Sequence, residues 1–503
     1  MQVALSLSQH NVLDVERYTK YIPFGQGVHF LEYIVILVEK LYHIVEETYM
    51  VVPPLHEYQK KALQFSLERP DSYLGLDMGL GKTRITLEWC KDKTAKGILV
   101  IAPLKSIYTT WPDEIEKWKF DYSYTILHGK DKLDNLGLKR NLYLTNFESI
   151  QWLFESLKLM FKLTKNVPFR TVVIDEGSMI KSPSTKRFKT LRKLRDIFYY
   201  RIMLSGTPAP NTLLDLWSQY FFLDGGARLF KAYSKFRFEH FMPLDYKQFT
   251  WAIKSKEDKL KIYNKIKDIT FRLDAKDYIK LPKRIDNIIK LKLPEKLQQQ
   301  YKHLEKKFFL ELDKEKVEVL NAAALSMKLR QFIQGGVYID GKGAWEQLHK
   351  EKLDKLKEMV EVADGQGILC PIQFKFELEM IRSIWPKVPA IVGGVDMKVS
   401  AQYIKDWNLG KIPLLICHPR SLSHAVNMQA GSHIVLWYSL TWSSEQYQQL
   451  NARVLRQGQK NNVIIHHLVM DETIDNAVMS ALKAKIKGQN QLLDFIKNYH
   501  QED

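Results

Sequence analysis

Short apolar runs alternate with helical patterns in two blocks of the chain, from about 52 to 223 and from about 346 to 485. This alternation predicts parallel strands connected by helices, and hence an α/β fold with two parallel sheets. The predicted strands are SYLGL (72–76), GILVIAP (97–103), LYLTN (142–146), TVVIDE (171–176), YRIMLSG (200–206), GILCP (367–371), PLLICHP (413–419), SHIVLWY (432–438) and NVIIHHLV (462–469).

The segments outside these two blocks have a different pattern. Residues 224–345 are rich in lysine, aromatic residues and helical patterning, which predicts a mainly helical insert and linker between two lobes. Residues 1–51 are predicted to form a small N-terminal module. Its apolar stretch, 28–45, is interrupted by charged residues too often for the centre of a bilayer, so we expect a buried element. Residues 486–503 are predicted as a C-terminal tail.

Composition and charge narrow the class of partner. The 503 residues are 45% hydrophobic, which is enough apolar material for more than one core. Lysine and arginine number 75 against 57 acidic residues, and the net charge of +18 favours a polyanion. Nucleic acid is the leading candidate and an anionic membrane the second.

Cysteine use and the N-terminus indicate the compartment. Cys90, Cys370 and Cys417 lie far apart, so neither a disulfide framework nor a CxxC metal site is indicated. The N-terminus lacks the pattern of a signal peptide. We expect a cytoplasmic protein without membrane attachment, in the host cytoplasm if the source is viral.

The stretch DMGLGKT, residues 77–83, follows a predicted strand and precedes a helical pattern. Its glycines allow a tight turn whose amides face phosphate oxygens at the start of the helix. Lys82 would then reach the β- and γ-phosphates of ATP, and the Thr83 hydroxyl would hold Mg²⁺. The strict GxxxxGK[ST] pattern is not met, because Leu76 occupies its first glycine position, and a glycine-rich turn without nucleotide is the alternative. The candidate nucleotide-binding residues are Met78, Gly79, Leu80, Gly81, Lys82 and Thr83.

Two adjacent carboxylates, Asp175 and Glu176, stand at the exit of the predicted strand in VVIDEGSMIKSP (172–183). Alone, such a pair often begins a solvated loop. With a phosphate loop in the same chain, the first can hold Mg²⁺ through water and the second can orient and deprotonate the attacking water. A divalent cation would also relieve the repulsion between the two charges.

Several motifs occur together in the order seen in superfamily 2 helicases. They are LHEYQKKAL (55–63), DMGLGKT (77–83), ILVIAPLKSIYTTWPDEIEKW (98–118), DEGSMIKSPSTK (175–186), LSGTPAPN (204–211) and QLNARVLRQGQ (449–459). The chain most closely resembles the Swi/Snf-type DNA translocases, particularly the short phage-like members, over about 52–485. The resemblance implies two RecA-like lobes and ATP hydrolysis with Mg²⁺.

The resemblance assigns expected roles to further residues of the ATP site. Gln59 is similar to a glutamine that reads the adenine edge, although a surface glutamine is the alternative. Arg453 and Arg456, three apart and so expected on one helical face, resemble arginine fingers rather than a solvated basic face. LSGTP resembles the segment that couples hydrolysis to lobe movement, with the coupling residues Ser205, Gly206 and Thr207.

The same resemblance suggests contacts to a DNA backbone, which for each residue compete with an ordinary surface role. The candidates are Lys105, Ser106, Thr145 and Asn146 in the first lobe, and Gln373 and Asn427 in the second. The basic run from Lys181 to Arg201 could also follow the backbone. The chain departs from the family at Ser178, where histidine is usual, and in the fifth motif, SLSHAVNMQ (421–429).

These features together predict a DNA-stimulated ATPase that moves on duplex or branched DNA, in replication, recombination or repair, and that acts as a monomer. A nucleotide-gated DNA clamp with little turnover and an RNA helicase are the alternatives. No feature of the sequence indicates a protein partner.

Overall fold

The computed structural model describes residues 52–246, 248, 250–278, 281–313, 319–341, 343–422 and 426–499. The predicted N-terminal module, 1–51, lies outside the described residues. Residues Leu55–Asp503 form one compact unit, which contains both blocks of alternating strands and helices.

Strands and helices alternate through this unit. The strands are β1 (Asp71–Leu76), β2 (Ile98–Ala102), β3 (Tyr124–Ile126), β4 (Leu142–Asn146), β5 (Thr171–Asp175), β6 (Tyr200–Leu204), β7 (Phe241–Pro243), β8 (Trp251–Ile253), β9 (Thr270–Leu273), β10 (Arg284–Leu291), β11 (Gly336–Tyr338), β12 (Trp345–Gln347), β13 (Ile368–Pro371), β14 (Ala390–Ile391), β15 (Leu414–Cys417), β16 (Ile434–Trp437) and β17 (Val463–Met470). The α-helices are Glu57–Leu67, Lys82–Cys90, Leu104–Tyr108, Thr110–Lys117, Lys132–Gly137, Ile150–Thr164, Lys186–Leu194, Leu216–Asp224, Tyr233–His240, Lys256–Ile266, Ala275–Tyr278, Glu295–Asp313, Val319–Ile333, Glu351–Val362, Lys375–Ile384, Met397–Asn408, Pro419–Leu422, Ser444–Val454 and Ile474–Tyr499.

The first lobe is built on a seven-stranded parallel sheet with the order β3-β4-β2-β5-β6-β1-β9. Its central strands are buried along their whole length, because helices cover both faces. Leu99 and Ile101 of β2 pack into one hydrophobic core, and Ile98 and Val100 pack into the core on the other face.

The second lobe is built on a six-stranded parallel sheet with the order β10-β17-β16-β13-β15-β14. Two cores again cover its faces, one around Val435 and Trp437 and the other around Ile434 and Leu436. The predicted α/β fold class with two parallel-sheet lobes is confirmed, and every apolar run predicted as a strand contains one.

Residues 224–345 contain the expected helices and, in addition, strands that belong to both sheets. β9 forms one edge of the first sheet and β10 one edge of the second. β7 and β8 form a separate antiparallel hairpin that pairs Phe241 with Ile253. Because β9 is short and β10 is largely exposed, neither has the continuous apolar pattern of a central strand. The domain boundaries remain a prediction.

The helix Ile474–Tyr499 continues through position 486, where the C-terminal tail was predicted to begin. None of the helices in the described part of the chain combines the length and the hydropathy that crossing a bilayer requires.

Candidate active site

The carboxyl ends of the central strands bring most of the predicted site residues to one edge of the first sheet. β1 leads into the phosphate loop, β5 ends at Asp175, and β6 leads into Ser205. β5 and β6 are neighbours, with Asp175 opposite Leu204. In open parallel sheets this edge is where ligands bind, because the loops that follow the strands converge there.

The loop after β1 has the backbone shape that a phosphate cradle needs. Gly79 and Gly81 have φ angles of 87° and 76°, in the left-handed region that favours glycine. A Cβ on Gly81 would lie 2.5 Å from Nε2 of Gln59, so a larger residue would also clash. Gly81 caps the helix Lys82–Cys90, whose first amides lack partners within the helix. The loop and this helix start therefore fit an anionic phosphate group.

Lys82 lies in the first turn of this helix, directed back towards the loop. Its Nζ donates hydrogen bonds to the carbonyl oxygens of Leu76, at 2.8 Å, and Asp77, at 3.3 Å. Burial lowers the pKa of Lys82, while the nearby carboxylates of Glu176 and Asp175 oppose that shift. The ammonium group is thus held by weak neutral acceptors beside the acidic pair, from where it can turn to a phosphate.

Asp175 and Glu176 form a buried acidic pair next to Lys82. The indole Nε1 of Trp111 donates to Oδ2 of Asp175 at 3.2 Å. Glu176 has a φ angle of 62°, an uncommon conformation for a residue with a side chain. Burial raises the pKa of both carboxyl groups, the charge of Asp175 raises that of Glu176 further, and Lys82 opposes both shifts.

A divalent cation fits this pair. Burial removes the water that would stabilise the two carboxylates, and the positive charge of the cation would stabilise them instead. The hydroxyl of Thr83, half-buried in the first helical turn, and the carboxylate of Asp175 are the groups that could hold Mg²⁺.

Gln59 is buried against the phosphate loop and is not the surface glutamine of the alternative interpretation. Its Oε1 accepts a hydrogen bond from the backbone of His56 at 3.0 Å, and its Nε2 donates to the carbonyl oxygen of Leu80 at 3.2 Å. These contacts tie the helix Glu57–Leu67 to the loop that would hold the nucleotide.

The second lobe contributes two arginines. Arg453, in the helix Ser444–Val454, is 8% exposed, and burial lowers its pKa to about 10 although Glu176 opposes the shift. The expectation that Arg453 and Arg456 share a helical face is wrong, because the helix ends at Val454 and Leu455 has a ψ angle of 84°. Arg456 lies in the following turn, where its Nη1 is 3.5 Å from the carbonyl oxygen of Val426. The two guanidinium groups remain close enough for the charge of Arg456 to lower the pKa of Arg453.

Glu445 is a site residue that the sequence did not single out. Its carboxylate accepts a hydrogen bond from the Ser178 hydroxyl, and Nζ of Lys181 lies 3.2 Å from it. It also raises the pKa of Glu176. The neighbouring Ser444 donates to the carbonyl oxygen of Pro210 at 2.5 Å. The start of this second-lobe helix therefore contacts both the acidic segment and the segment after β6.

The predicted coupling residues follow β6, the neighbour of the strand that ends at Asp175, and they precede Pro210, which Ser444 contacts. Ser205 is fully buried, its amide donates to Leu74 of β1 at 3.1 Å, and its hydroxyl accepts from the amide of Thr207 at 3.1 Å. A Cβ on Gly206 would lie 3.3 Å from the carbonyl oxygen of Leu76. The segment is thus packed directly against the strand that leads into the phosphate loop.

The first-lobe candidates for DNA contacts lie together, but most of their side chains are buried. Ala102 of β2 pairs with Asn146 of β4, so the loops after these strands are adjacent. Thr145 donates to Leu127 at 3.3 Å, Asn146 donates to Glu148 at 2.9 Å, and Ser106 is 6% exposed. Lys105 lies near Arg453, whose charge adds to the effect of burial in lowering the pKa of Lys105. The structure thus directs Lys105 towards the nucleotide cleft.

The remaining DNA candidates are not brought to one place by any described contact. Gln373 follows β13, and its backbone amide donates to the carboxylate of Glu377 at 2.7 Å. Asn427 is exposed and accepts from Asn408 at 2.8 Å. In the basic run, Arg201 is buried and forms an ion pair with Asp71 at 2.6 Å, so part of that run stabilises the first lobe.

Comparisons with known proteins show which family this chain is similar to. The sequence model described as "SNF2-related domain" matches residues 58–335. "Putative protein p41" of Acyrthosiphon pisum secondary endosymbiont phage 1 is 33% identical over 462 residues, which cover 88% of this chain and 98% of the phage protein. "Putative ATP-dependent helicase/translocase YwqA" of Bacillus subtilis is 23% identical, with coverage of 87% of this chain and 49% of the relative.

A solved structure, "Sulfolobus solfataricus SWI2/SNF2 ATPase core in complex with dsDNA", is 24% identical, covers 90% of this chain and 94% of its own, and has a TM-score of 0.41. This chain spans nearly the whole length of the phage protein but about half of the Bacillus protein. Because the family's sequence model covers more than half of the chain, this protein belongs to the SNF2-related family.

Proposed function

We propose that this protein is an ATP-driven motor that moves along duplex or branched DNA. The observation that carries the proposal is the convergence of Lys82, Glu176 and Arg453. They come from three separate motifs and two lobes, yet Lys82 and Arg453 both lie close enough to Glu176 to lower its pKa. Family membership supports ATP hydrolysis, and the charge of +18 supports an anionic track.

Each group would have a separate role in hydrolysis. The loop 78–81 and Lys82 would bind the phosphates, and Thr83 and Asp175 would hold Mg²⁺, which supplies charge neutralisation on the phosphates. Glu176 would orient the attacking water and accept its proton. Arg453, with Arg456 beside it, would stabilise the charge that develops on the transferred phosphoryl group.

Movement would follow from the origin of these groups in two lobes. Bound ATP would draw the arginines of the second lobe towards the first lobe, and hydrolysis would release them. The segment Ser205–Thr207 lies against β1 and β6, so it can transmit the change to the lobe interface. A relative named as a putative ATP-dependent helicase/translocase is similar to this chain over 467 residues, which supports an ATP-driven motor. A role in replication, recombination or repair of DNA is part of the proposal.

Phosphate release measured with and without duplex DNA tests the proposal. We expect DNA to increase the rate by about 10-fold or more, since the motor should turn over quickly only when both lobes engage the track. A rate that stays at background in both conditions would contradict the motor and leave a nucleotide-gated DNA clamp.

The preferred track is tested with a panel of plain duplex, forked DNA, four-way junctions and RNA hybrids under the same conditions. We expect the highest phosphate release with duplex or branched DNA. A preference for RNA over every DNA form would instead favour an RNA helicase.

A further inference from the structure

Arg272 is a buried cation in β9, the edge strand of the first sheet. Its side chain is only 5% exposed. β9 pairs with β1 in a register that sets Arg272 opposite Gly75, and β1 leads into the phosphate loop at Asp77. The pairing of two strands therefore places an arginine beside the first residue of the loop that would bind ATP.

The guanidinium group of Arg272 contacts three acceptors at this point. Its Nη1 donates to the carbonyl oxygen of Gly75 at 2.8 Å, and its Nη2 donates to Oδ1 of Asp77 at 2.8 Å. Nη2 also forms an ion pair with Asp274, which follows β9. One side chain thus joins the end of β1, the start of the phosphate loop and the segment after β9.

Backbone groups join the same segments. The amide of Asp77 donates to the carbonyl oxygen of Leu273 at 3.1 Å, and Oδ2 of Asp77 accepts from the amide of Ala275 at 3.0 Å. Both oxygens of the Asp77 carboxylate are therefore engaged by residues 272–275. The conformation of Asp77 depends on these contacts, and Arg272 supplies the charged one.

Lys82 is attached to the same part of the loop. Its two hydrogen-bond acceptors are the carbonyl oxygens of Leu76 and Asp77. Burial lowers the pKa of Lys82, and the charge of Arg272 lowers it further, so the guanidinium lies close to this lysine. When Lys82 turns to a phosphate it leaves the two carbonyl oxygens, while Arg272 can still hold Asp77.

Stability alone is a weak explanation for this arrangement. Apolar side chains of similar volume often replace buried ion pairs without loss of stability, because burial of charge is costly. The pairing of β9 with β1 needs only backbone hydrogen bonds, which any residue except proline can make at position 272. A cation that joins a ligand-binding loop to a neighbouring segment instead suits a role in fixing the shape of that loop.

We propose that Arg272 is a positioning residue of the phosphate loop, which it holds through Asp77 in the shape that binds the phosphates of ATP. This inference rests on the part of the proposed function in which the loop binds ATP. A loop that adopts its binding shape for only a fraction of the time binds more weakly in proportion. Because Arg272 contacts none of the groups assigned to hydrolysis, it acts on binding and not on the rate once ATP is bound.

The experiment measures nucleotide affinity and turnover separately in the full-length protein. Arg272→Met replaces the arginine by an apolar side chain. It should weaken binding of a fluorescent ATP analogue and raise the KM for ATP, each by about 10-fold or more, because a charge-assisted hydrogen bond to the loop is lost. The DNA-stimulated rate at saturating ATP should stay within about threefold of the parent.

Arg228→Met is the matched control. Arg228 also forms ion pairs with two aspartates of the first lobe, Asp224 and Asp268. Asp268 precedes β9, at the edge of the sheet opposite the phosphate loop. The control should leave both affinity and rate within about twofold of the parent. Thermal unfolding of each variant shows whether it is folded at the assay temperature.

Asp77→Asn tests the loop side of the contact and replaces Arg272→Met if that variant does not fold. It removes the charge that faces Arg272 but keeps the size of the side chain, so affinity for the analogue should fall about threefold or more. The double variant should bind no more weakly than Arg272→Met, because both changes remove one contact.

The positioning role is excluded if Arg272→Met and Asp77→Asn bind the analogue as tightly as Arg228→Met. It is also excluded if the rate at saturating ATP falls as much as the affinity, or if the two losses of affinity multiply in the double variant. A parent that binds the analogue but shows no DNA-stimulated hydrolysis would instead overturn the proposed motor, and the affinity comparison would still test Arg272.

Discussion

The residues of the acidic pair occupy a position that is unfavourable without a ligand. Asp175 and Glu176 are buried side by side. Lys82 opposes the resulting shifts of both pKa values, and Arg453 also opposes that of Glu176. A site that is unstable when empty and neutralised when loaded can use ligand binding to select one arrangement of its lobes. Three predictions at the residue scale follow from this charge balance.

The first prediction separates binding from hydrolysis. Lys82→Ala should weaken nucleotide binding and abolish turnover, because it deletes the charge that faces the phosphates. Glu176→Gln should keep binding of Mg-ATP but lose about 10²- to 10⁴-fold in rate, the usual contribution of a general base. A fluorescent ATP analogue measures affinity, and phosphate release measures turnover. Lys91→Ala, at the exposed end of the same helix, is the control. Near-parental hydrolysis by Glu176→Gln would show that the base lies elsewhere.

The second prediction concerns stability and pH in the absence of nucleotide. Because burial raises the pKa of Glu176 in the folded protein, its ionisation destabilises the fold above the ordinary pKa of a glutamate. Glu176→Gln should therefore raise Tm at pH 8, by roughly 2 °C or more, and the gain should shrink towards pH 4.5 as the parent carboxyl becomes protonated. Thermal unfolding at the two pH values measures it. An equal gain at both values would mean that burial of the charge is not the cause.

The third prediction concerns the arginines. Arg453→Ala should retain nucleotide but lose about 10³-fold or more in DNA-stimulated rate, because an arginine finger acts on charge that develops in the transition state. Arg456→Ala should act in the same direction. Arg382→Ala, an exposed arginine of the second lobe, provides the comparison. If Arg453→Ala lost as much nucleotide affinity as rate, Arg453 would contribute to the binding of ATP itself and not specifically to the transition state.

At the scale of elements, the helix Ser444–Val454 links the lobes through its first turn. Glu445 contacts Ser178 and Lys181 of the acidic segment, and Ser178 stands where the resemblance leads one to expect histidine. The carboxylate of Glu445 in the second lobe thus accepts a hydrogen bond from Ser178, which is smaller than the histidine expected at this position. The same carboxylate raises the pKa of Glu176, so the contact links lobe position to the protonation of the proposed base.

This link gives the fourth prediction. Glu445→Gln should lower the pKa of Glu176 and move the acid limb of the rate profile to lower pH, because a negative charge beside the base is removed. Ser178→Ala loses the hydrogen bond but keeps the charge, so it should leave the limb in place. Rates of phosphate release between pH 5 and 8 measure the shift, with Glu361→Gln, at an exposed position, as the control. Identical profiles for the parent and Glu445→Gln would contradict the electrostatic link.

The elements also show how far the sequence leads. The central strands were predictable because burial on both faces requires continuous apolar runs, and the motifs at their ends identified Lys82, Asp175 and Glu176. β9 and β10 were missed, because a short edge strand and an exposed edge strand have no such runs. Glu445 was missed because its contacts depend on how the lobes meet. The spacing of three residues predicted that Arg453 and Arg456 share a helical face. That prediction failed because the helix ends at Val454, before Arg456.

At the scale of the whole molecule, the excess of basic residues gives the fifth prediction. Affinity for duplex DNA should fall about 10- to 1000-fold between 50 and 200 mM salt, because each neutralised phosphate releases a counterion. Fluorescence anisotropy of a labelled duplex measures this, and the slope of log affinity against log salt gives the number of phosphates engaged. A flat dependence would mean that the charge of +18 is not used to hold DNA.

The positions of β9 and β10 have a mechanical consequence. β9 is the last described strand of the first sheet and β10 the first of the second, so among the described strands the chain passes between the sheets only once, through residues 274–283. Even fully extended, the eleven Cα steps from Leu273 to Arg284 span no more than about 40 Å. The link therefore limits how far these two strand ends can separate in any one cycle of the proposed motor, whatever length of DNA that motor would travel over many cycles.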